Sequence, residues 1–193
     1  MLKKLFILVA IATSFSCQAR RPDLSPPAGP HFRFLSIKFN FHDGESRQSG
    51  RVLWRFDESS SKFVFFTPLN QVGMELDVAG EEAVLVNFRS KTFWRGDFRL
   101  MLDRLWGIGL TLSALRSLLL DGAAPAAEFL EQGIAVLLER SAGTGAPSTV
   151  RLRRGDVELV LRVLTSELRP GRVILVNYAG RYRGGELEDV LEQ

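Results

Sequence analysis

Val52-Leu53-Trp54-Arg55-Phe56, Phe63-Val64-Phe65-Phe66, Thr67-Pro68-Leu69-Asn70-Gln71 and Met74-Glu75-Leu76-Asp77-Val78 follow one another along the chain. In the first run Val52, Trp54 and Phe56 alternate with Arg51 and Arg55, and in the last Met74, Leu76 and Val78 alternate with Glu75 and Asp77. A period of two is the pattern of a strand with one face on a core and one in water. Phe63 to Phe66 is apolar on both faces, and the segments Asp57 to Ser61 and Thr67 to Gln71 read as the turns between these strands. The pattern continues outward in both directions. Upstream, Leu35, Ile37, Phe39 and Phe41 alternate with Ser36, Lys38 and Asn40 before His42-Asp43-Gly44-Glu45 turns the chain. Downstream, Gly80-Glu81 turns, Val84, Val86 and Phe88 read as the next core-facing set, and Thr92-Phe93-Trp94-Arg95 as a short last strand. The spacing is that of an antiparallel meander.

The period then changes. Phe98, Met101, Leu102 and Leu105 fall on one face of a helix that Gly96-Asp97 can cap, and Gly107-Ile108-Gly109 breaks it. Thr111 can cap a second helix carrying Leu112, Leu115, Leu118 and Leu119 on one side, with Gly122 placed to end it. Ala123 to Gln132 adds a helical turn or two. Strands are expected again at Ile134 to Arg140, Thr149 to Arg153, Val157 to Leu164 and Arg172 to Val176, with Gly155-Asp156 as a hairpin turn. The fold class is therefore mainly antiparallel β. A curved sheet with two amphipathic helices against its concave face encloses apolar volume, which is either a solid core or a lipid-sized cavity.

The N-terminus supplies the compartment. Met1-Leu2-Lys3-Lys4 is a basic region, Leu5 to Ala12 is apolar, and Ser14-Phe15-Ser16-Cys17 is a small-residue cleavage site, so residues 1–16 read as a signal peptide. The segment is too short for a stable transmembrane span. Cys17 is the only cysteine of the chain, so it has no partner for an intramolecular disulfide. The arrangement resembles the export signal of bacterial lipoproteins, which implies covalent diacylglycerol and an N-acyl chain on Cys17 and no other cofactor. Ser14 stands where those signals usually carry Leu, Val or Ile. Gln18 rather than Asp after the cysteine favours the outer membrane. Arg20, Arg21, Pro22, Pro26, Pro27 and Pro30 make 17–30 an extended tether, and the folded domain is expected over 31–193.

Composition narrows the function. The 193 residues are 46% hydrophobic with 14 Phe, more apolar material than a small domain needs. The formal charge of +3 includes Lys3 and Lys4 of the signal, and the arginines are scattered along strands, so nucleic acid is not an expected partner. His31 and His42 are the only histidines and have no cysteine at metal-ligand spacing, which leaves little for a zinc site or a His-based triad. The chain has no Gly-x-Ser-x-Gly elbow and no P-loop, and Gly107-x-Gly109 lies between helices rather than after a strand. Glu81-Glu82 and Glu186 with Glu188 read as solvated surface. Neither an enzyme nor a metal site is expected.

From Arg51 to Gly122 the sequence resembles the LolB family of lipoprotein acceptors. The family's order is a strand holding an aromatic, a second strand ending in a Pro-Leu loop, a strand pair, and helices ending in Leu-x-x-Leu-Arg with an apolar run and Gly. Here the parts are Gly50 to Phe56, Phe63 to Phe66, Thr67-Pro68-Leu69, Val72 to Leu76, Leu102 to Gly109, and Leu112-Ser113-Ala114-Leu115-Arg116 running on to Gly122. Thr149 to Leu164 is similar to the family's last hairpin, and the likeness covers roughly Phe34 to Ser166. Asn70 stands where the family usually has Gly, Ser117 where it commonly has Trp, and 169–193 extends past its usual end.

The resemblance implies a LolA/LolB-like incomplete, half-open β-barrel whose helices cover an apolar cavity. It also implies a monomer, anchored in the bacterial outer membrane and facing the periplasm, that receives acylated lipoproteins from a LolA-like carrier and inserts them into membrane lipid. On this reading the cavity residues are Trp54, Phe56, Phe63, Phe65, Met74, Leu76, Val84, Val86 and Phe93 from the sheet and Leu102, Leu105, Leu112 and Leu115 from the helices. Each of these is also ordinary core by its pattern. Arg116 is expected to bond to the sheet or a neighbouring helix end. Leu69 after Pro68 is an apolar side chain among turn residues, which either folds back on the sheet edge or, as the resemblance implies, projects into solvent and enters the membrane. A carrier of lipids or glycolipids and a structural envelope lipoprotein with a filled core remain the alternatives.

Overall fold

The computed structural model describes residues 29–123, 126–142 and 145–191. The signal segment 1–16, Cys17 and all but the last two residues of the 17–30 tether lie outside the described residues. Ten strands form one sheet: β1 (His31–His42), β2 (Arg47–Phe56), β3 (Ser60–Phe66), β4 (Val72–Ala79), β5 (Glu82–Asn87), β6 (Thr92–Asp97), β7 (Ala135–Arg140), β8 (Pro147–Arg154), β9 (Val157–Pro170) and β10 (Arg183–Gly184). Their spatial order is β10-β6-β5-β4-β3-β2-β1-β9-β8-β7, so the outermost strands do not meet and the barrel stays incomplete.

Register sets the faces, because residues directly opposite one another share a side of the sheet. Leu35 lies opposite Trp54, Trp54 opposite Phe63, Phe63 opposite Leu76, Leu76 opposite Leu85 and Leu85 opposite Trp94. This row crosses six strands, and all its members are buried. It marks the inner face, on which the helices α1 (Phe98–Trp106) and α2 (Leu112–Leu120) pack. The Asp97 carboxylate accepts from the N–H of Leu100 at 2.8 Å and starts α1, which Gly107 ends at φ 61°. The Thr111 hydroxyl accepts from the N–H of Ala114 at 3.2 Å and starts α2. These caps satisfy donors that the first helical turn leaves unpaired. A short helix, α3 (Ala126–Glu131), leads into β7 and contributes Phe129 to the core.

The parity expected for β5 and β6 is corrected. Val84 lies opposite Asp77 and Arg95, and Val86 opposite Glu75 and Phe93, which places Val84, Val86 and Phe93 on the outer face. The inner positions are Ala83, Leu85 and Trp94. Ala83 to Val86 is apolar throughout, so alternation could not choose a side, and a parity error of one residue moves the whole set.

What makes the outer face apolar here is the C-terminal chain. β9 runs to Pro170, opposite His31, so the expected extension begins inside a strand. The strand expected at Arg172 to Val176 is instead an extended strap with no ladder partner, held by side chains of the sheet. Asp57 accepts from the N–H of Val173 at 3.0 Å, Asp77 from the N–H of Val176 at 2.8 Å, and the Tyr178 hydroxyl donates to Glu75. Lys62 sits buried between Glu75 and Asp77, 3.0 Å from the latter. Burial pushes the Asp77 carboxyl up despite the Val176 N–H and the Lys62 ammonium, and burial with the Glu75 hydrogen bond pushes the Tyr178 phenol up. Beyond the strap, β10 pairs in parallel with β6, and the turn of helix α4 (Leu187–Leu191) reaches the inner side. There Leu187 and Val190 join the core, and Asn87 donates to the carbonyl of Val190 at 2.9 Å. The chain thus passes round the β6 edge from one face of the sheet to the other.

Asp57 gives the strap a pH dependence of definite sign. Burial pushes its carboxyl up, and this is outweighed by the N–H groups of Val173, Ser59 and Ser60 and the Ser59 hydroxyl, which hold it below its ordinary value. A carboxyl so lowered contributes stability above the ordinary carboxylate range and loses it as pH falls through the folded value. Asp57→Ala should cost about 1–2 kcal/mol at neutral pH, with the difference from the parent shrinking in urea titrations as pH falls below the ordinary carboxylate range.

Candidate functional site

Between the inner face and α1 and α2 the packing leaves a void of about 30 Å³ with no polar lining. Ile37, Phe39, Val52, Phe63, Phe65, Leu76 and Leu161 form its floor, and Phe98, Leu102, Trp106, Leu115 and Leu119 form its roof. A void of this size has room for about one water and, being apolar, stays dry. It is too small for an acyl chain. The interior is therefore nearly filled, and a long apolar guest enters only when side chains or helices give way.

The sheet has two ends, and they differ. The turns Asp43 to Ser46, Thr67 to Gln71, Phe88 to Lys91 and Gly155-Asp156 lie together at one, called here the Pro68 end. Phe98 stacks on Phe63 at a centroid distance of 5.9 Å, whereas Trp106, eight residues on, lies 5.8 Å from Phe39 and 6.4 Å from Phe65. Phe65 is the penultimate residue of β3, so Trp106 borders the void at the Pro68 end. Phe39 lies opposite Gly50, where an added Cβ would come within 2.7 Å of its ring. Gly50 thus lets Phe39 lie flat across the floor.

The other end is fastened. Arg116 donates to the Ser61 hydroxyl at 3.0 Å and stands 5.0 Å from the Phe56 ring centroid. This ties α2 to the start of β3, as the expectation for Arg116 had it. Burial of the guanidinium pushes its pKa down.

Leu69 is 80% exposed. Thr67 accepts the N–H of Asn70 at 2.9 Å and donates its own N–H to the carbonyl of Gln71 at 2.9 Å, which closes the turn with Pro68 and Leu69 at its tip. Asn70 follows at φ 60°, the left-handed conformation that Gly adopts freely and Asn tolerates better than other side chains. The departure from Gly at this position therefore leaves such a turn intact. Pro68 fixes its own φ and removes a donor. With Leu69 outward, nothing from the loop folds back on the sheet edge.

The expected cavity residues divide three ways. Phe63, Phe65, Leu76, Leu102 and Leu115 line the void. Trp54, Phe56 and Leu112 belong to the surrounding core, with Met74 and Leu105 packed against it. Val84, Val86 and Phe93 are on the outer face, where Val84 and Phe93 border a recess beside strap residues Leu175 to Ala179. Ile37, Phe39, Val52, Phe98, Trp106, Leu119 and Leu161 also line the void and were missed, although Trp106 continues the spacing of Phe98, Met101, Leu102 and Leu105 by one step and Ile37 and Phe39 stand in the alternation of β1. Among the described residues no group of three or more His, Cys, Asp or Glu side chains is placed to hold a metal, and no helix is long and apolar enough to cross a membrane.

Several known proteins resemble this chain. The sequence pattern of the family described as outer membrane lipoprotein LolB matches residues 33–164. The outer-membrane lipoprotein LolB of Azoarcus sp. (strain BH72) is 25% identical over 150 residues, which cover 70% of this chain and 78% of that protein. Among solved structures, a LolA superfamily protein of Nitrosomonas europaea aligns with 76% of this chain and 89% of its own, at 8% identity and a TM-score of 0.41. An uncharacterized conserved protein of Thermus thermophilus aligns with 82% of this chain and 91% of its own, at 11% identity and a TM-score of 0.38. The matched segment runs from within β1 to within β9 and takes in α1, α2 and the Pro68 turn, so the chain belongs to the LolB family of outer membrane lipoproteins.

Proposed function

We propose that this protein is a non-enzymatic acceptor that takes lipoproteins by their acyl chains between its sheet and helices and inserts them into the outer membrane. On this reading it faces the periplasm as a monomer, is held by acyl chains on Cys17, and receives its cargo from a LolA-like carrier. The observation that carries the proposal is the wholly apolar void between the inner face and α1 and α2, bordered by Trp106 at the end where Leu69 projects.

The energetics fit a carrier. A chain of about 16 carbons costs on the order of 12 kcal/mol to hold in water, at roughly 0.8 kcal/mol per methylene. Separating the helices from the sheet exposes apolar surface of comparable kind, and a guest chain covers it again. The exchange of one apolar contact for another needs no nucleotide. With α2 fastened at Arg116 and α1 followed by the Gly107-Ile108-Gly109 break, the Trp106 end parts more readily, since the ion pairs that tie it, Asp103–Arg154 and Arg104–Glu188, are exposed to water and weak. Leu69 beside that opening would enter the bilayer for about 2 kcal/mol, too little to anchor a protein but enough to orient a loaded one.

Three experiments test this reading. Phe65→Glu places a charge on the floor and should abolish binding of a fluorescent fatty-acid probe. Val84→Glu, on the outer face, should leave that binding within about twofold of the parent. Equal effects of the two, with circular dichroism unchanged, would contradict an inner-face site. Leu69→Glu should leave probe binding and the thermal midpoint intact while slowing delivery of an acylated protein from a soluble donor to liposomes by about thirtyfold, the worth of the lost insertion. Delivery at the parental rate would remove the loop from the mechanism. Cys17→Ser should end labelling with radioactive palmitate, and a variant that still labels would place the anchor elsewhere.

A further inference from the structure

The outer face carries a second feature, on the strands that the strap leaves bare. Lys38 on β1 lies directly opposite Arg51 on β2 and, on its other side, opposite Arg162 on β9. All three are exposed, and no carboxylate pairs with any of them among the described residues. Arg51 donates to the Ser36 hydroxyl at 3.1 Å, which holds its guanidinium on this face. Arg47, on the same side of β2 and nearer the Pro68 end, is likewise exposed and unpaired among the described residues. It borders a recess of about 430 Å³ with Asn40, His42, Ser49 and Glu158. Glu158 is occupied by Arg151 at 2.9 Å, Glu139 stands in the same ladder row but two strands from Arg162, on β7 beyond Thr149, and Asp43, Glu45 and Asp156 stand in the turns.

Like charges directly opposite across a ladder destabilise a sheet. Three in a row, with no carboxylate set among them, leave a surface whose neutralising charge comes from outside. The place of the row decides what supplies it. Arg51 lies opposite Phe66, the last residue of β3, so the strand ends one residue before the Thr67 to Gln71 turn. The cations therefore adjoin a turn whose tip is an exposed leucine, with Val72 also 43% exposed at its base. Cations beside projecting apolar side chains are the pattern of a surface that lies on a charged lipid interface.

We infer that the outer face formed by Lys38, Arg47, Arg51 and Arg162 docks on the phosphate-bearing headgroups of an anionic bilayer surface. The contact is separate from the acyl site, because the inner and outer faces of the sheet share no side chains. It brings the Pro68 turn to the membrane by long-range attraction before any apolar group inserts.

The test is the distribution of the full chain, loaded from detergent, between vesicles of phosphatidylcholine alone and vesicles in which a third of the lipid is phosphatidylglycerol. Any lipid anchor contributes to both populations, so the ratio reads the headgroup. The parent should favour the anionic vesicles, and the preference should fade as salt rises. Each cation near such a surface is worth about fivefold, so Lys38→Glu with Arg162→Glu should cut the ratio by roughly twentyfold or more. Lys38→Ala with Arg162→Ala should produce a smaller drop in the same direction and guards against misfolding of the charge-reversed form. Arg99→Glu with Arg104→Glu, exposed positions on α1 at the helix side of the sheet, is the control for net charge. Fatty-acid probe binding should be unaffected in every variant, which separates a failure here from a failure of the acceptor reading. A parental ratio near one overturns the proposal, as does an equal loss in the control pair. So does an unchanged ratio in both face variants, including a case in which they weaken binding only to a carrier protein.

Discussion

The contact between one apolar sheet face and two nine-residue helices underlies the rest of this structure. Few directional bonds hold it. The Phe98 N–H reaches the carbonyl of Glu81, Arg116 reaches Ser61, and Asp103 of α1 meets Arg154 of β8 at 3.0 Å, but otherwise the two helices adhere to the sheet through Leu, Phe, Met and Trp side chains. Such contact is strong in sum and indifferent to what replaces it, because apolar burial scales with area and has no preferred angle. An open sheet needs such a cover, since its inner row from Leu35 to Trp94 would otherwise face water. The same lack of direction that lets short helices serve as a cover lets another hydrocarbon take their place.

The opposite face is organised by the opposite kind of force. The strap 171–182 has only scattered apolar side chains, Ile174 is 76% exposed, and its attachment depends on carboxylates that accept backbone N–H groups. Lys62 offsets part of the charge gathered under it. One sheet thus carries a slippery cover and a pegged one. A disturbance of the inner cover has no route through the strap's hydrogen bonds, since the pegs are all outer-face groups. The exception is the far edge, where α4 brings Leu187 and Val190 into the inner core and Arg104 of α1 meets Glu188 at 3.3 Å.

Much of this was legible in the sequence because period-two alternation is a direct imprint of a half-buried strand. β1, β2 and β4 have it, and their inner residues were placed correctly. β5 does not, because Ala83 to Val86 is apolar at every position, and the deciding fact, a strap from almost a hundred residues away, leaves no local mark. The strap itself was read as a strand, since Val173-Ile174-Leu175-Val176 is an apolar run rich in β-branched residues, yet no ladder position was open to it. Leu69 was conspicuous for a sound reason: a large apolar side chain beside Pro in a turn has no local structural use. The state of the interior was not legible at all. Composition says that apolar surface exists, and only packing says that it is filled but for about 30 Å³.

The strand order carries one more consequence, in the time in which the chain is made. β1 is the first strand to appear, yet it lies inside the sheet, between β2 and β9. Its second edge, from His31 to His42, finds its partner only when Val157 to Pro170 exists. Any chain that emerges from its N-terminus therefore carries a long unpaired edge, with Phe32, Phe34, Phe39 and Phe41 beside it, through most of its own synthesis. Exposed edges of that length invite pairing with other chains. The pairing that removes the hazard joins residues more than a hundred positions apart, which is slow to form by chance closure. The molecule's period of greatest exposure is thus its youth, and it ends with the arrival of a strand rather than with collapse of the core.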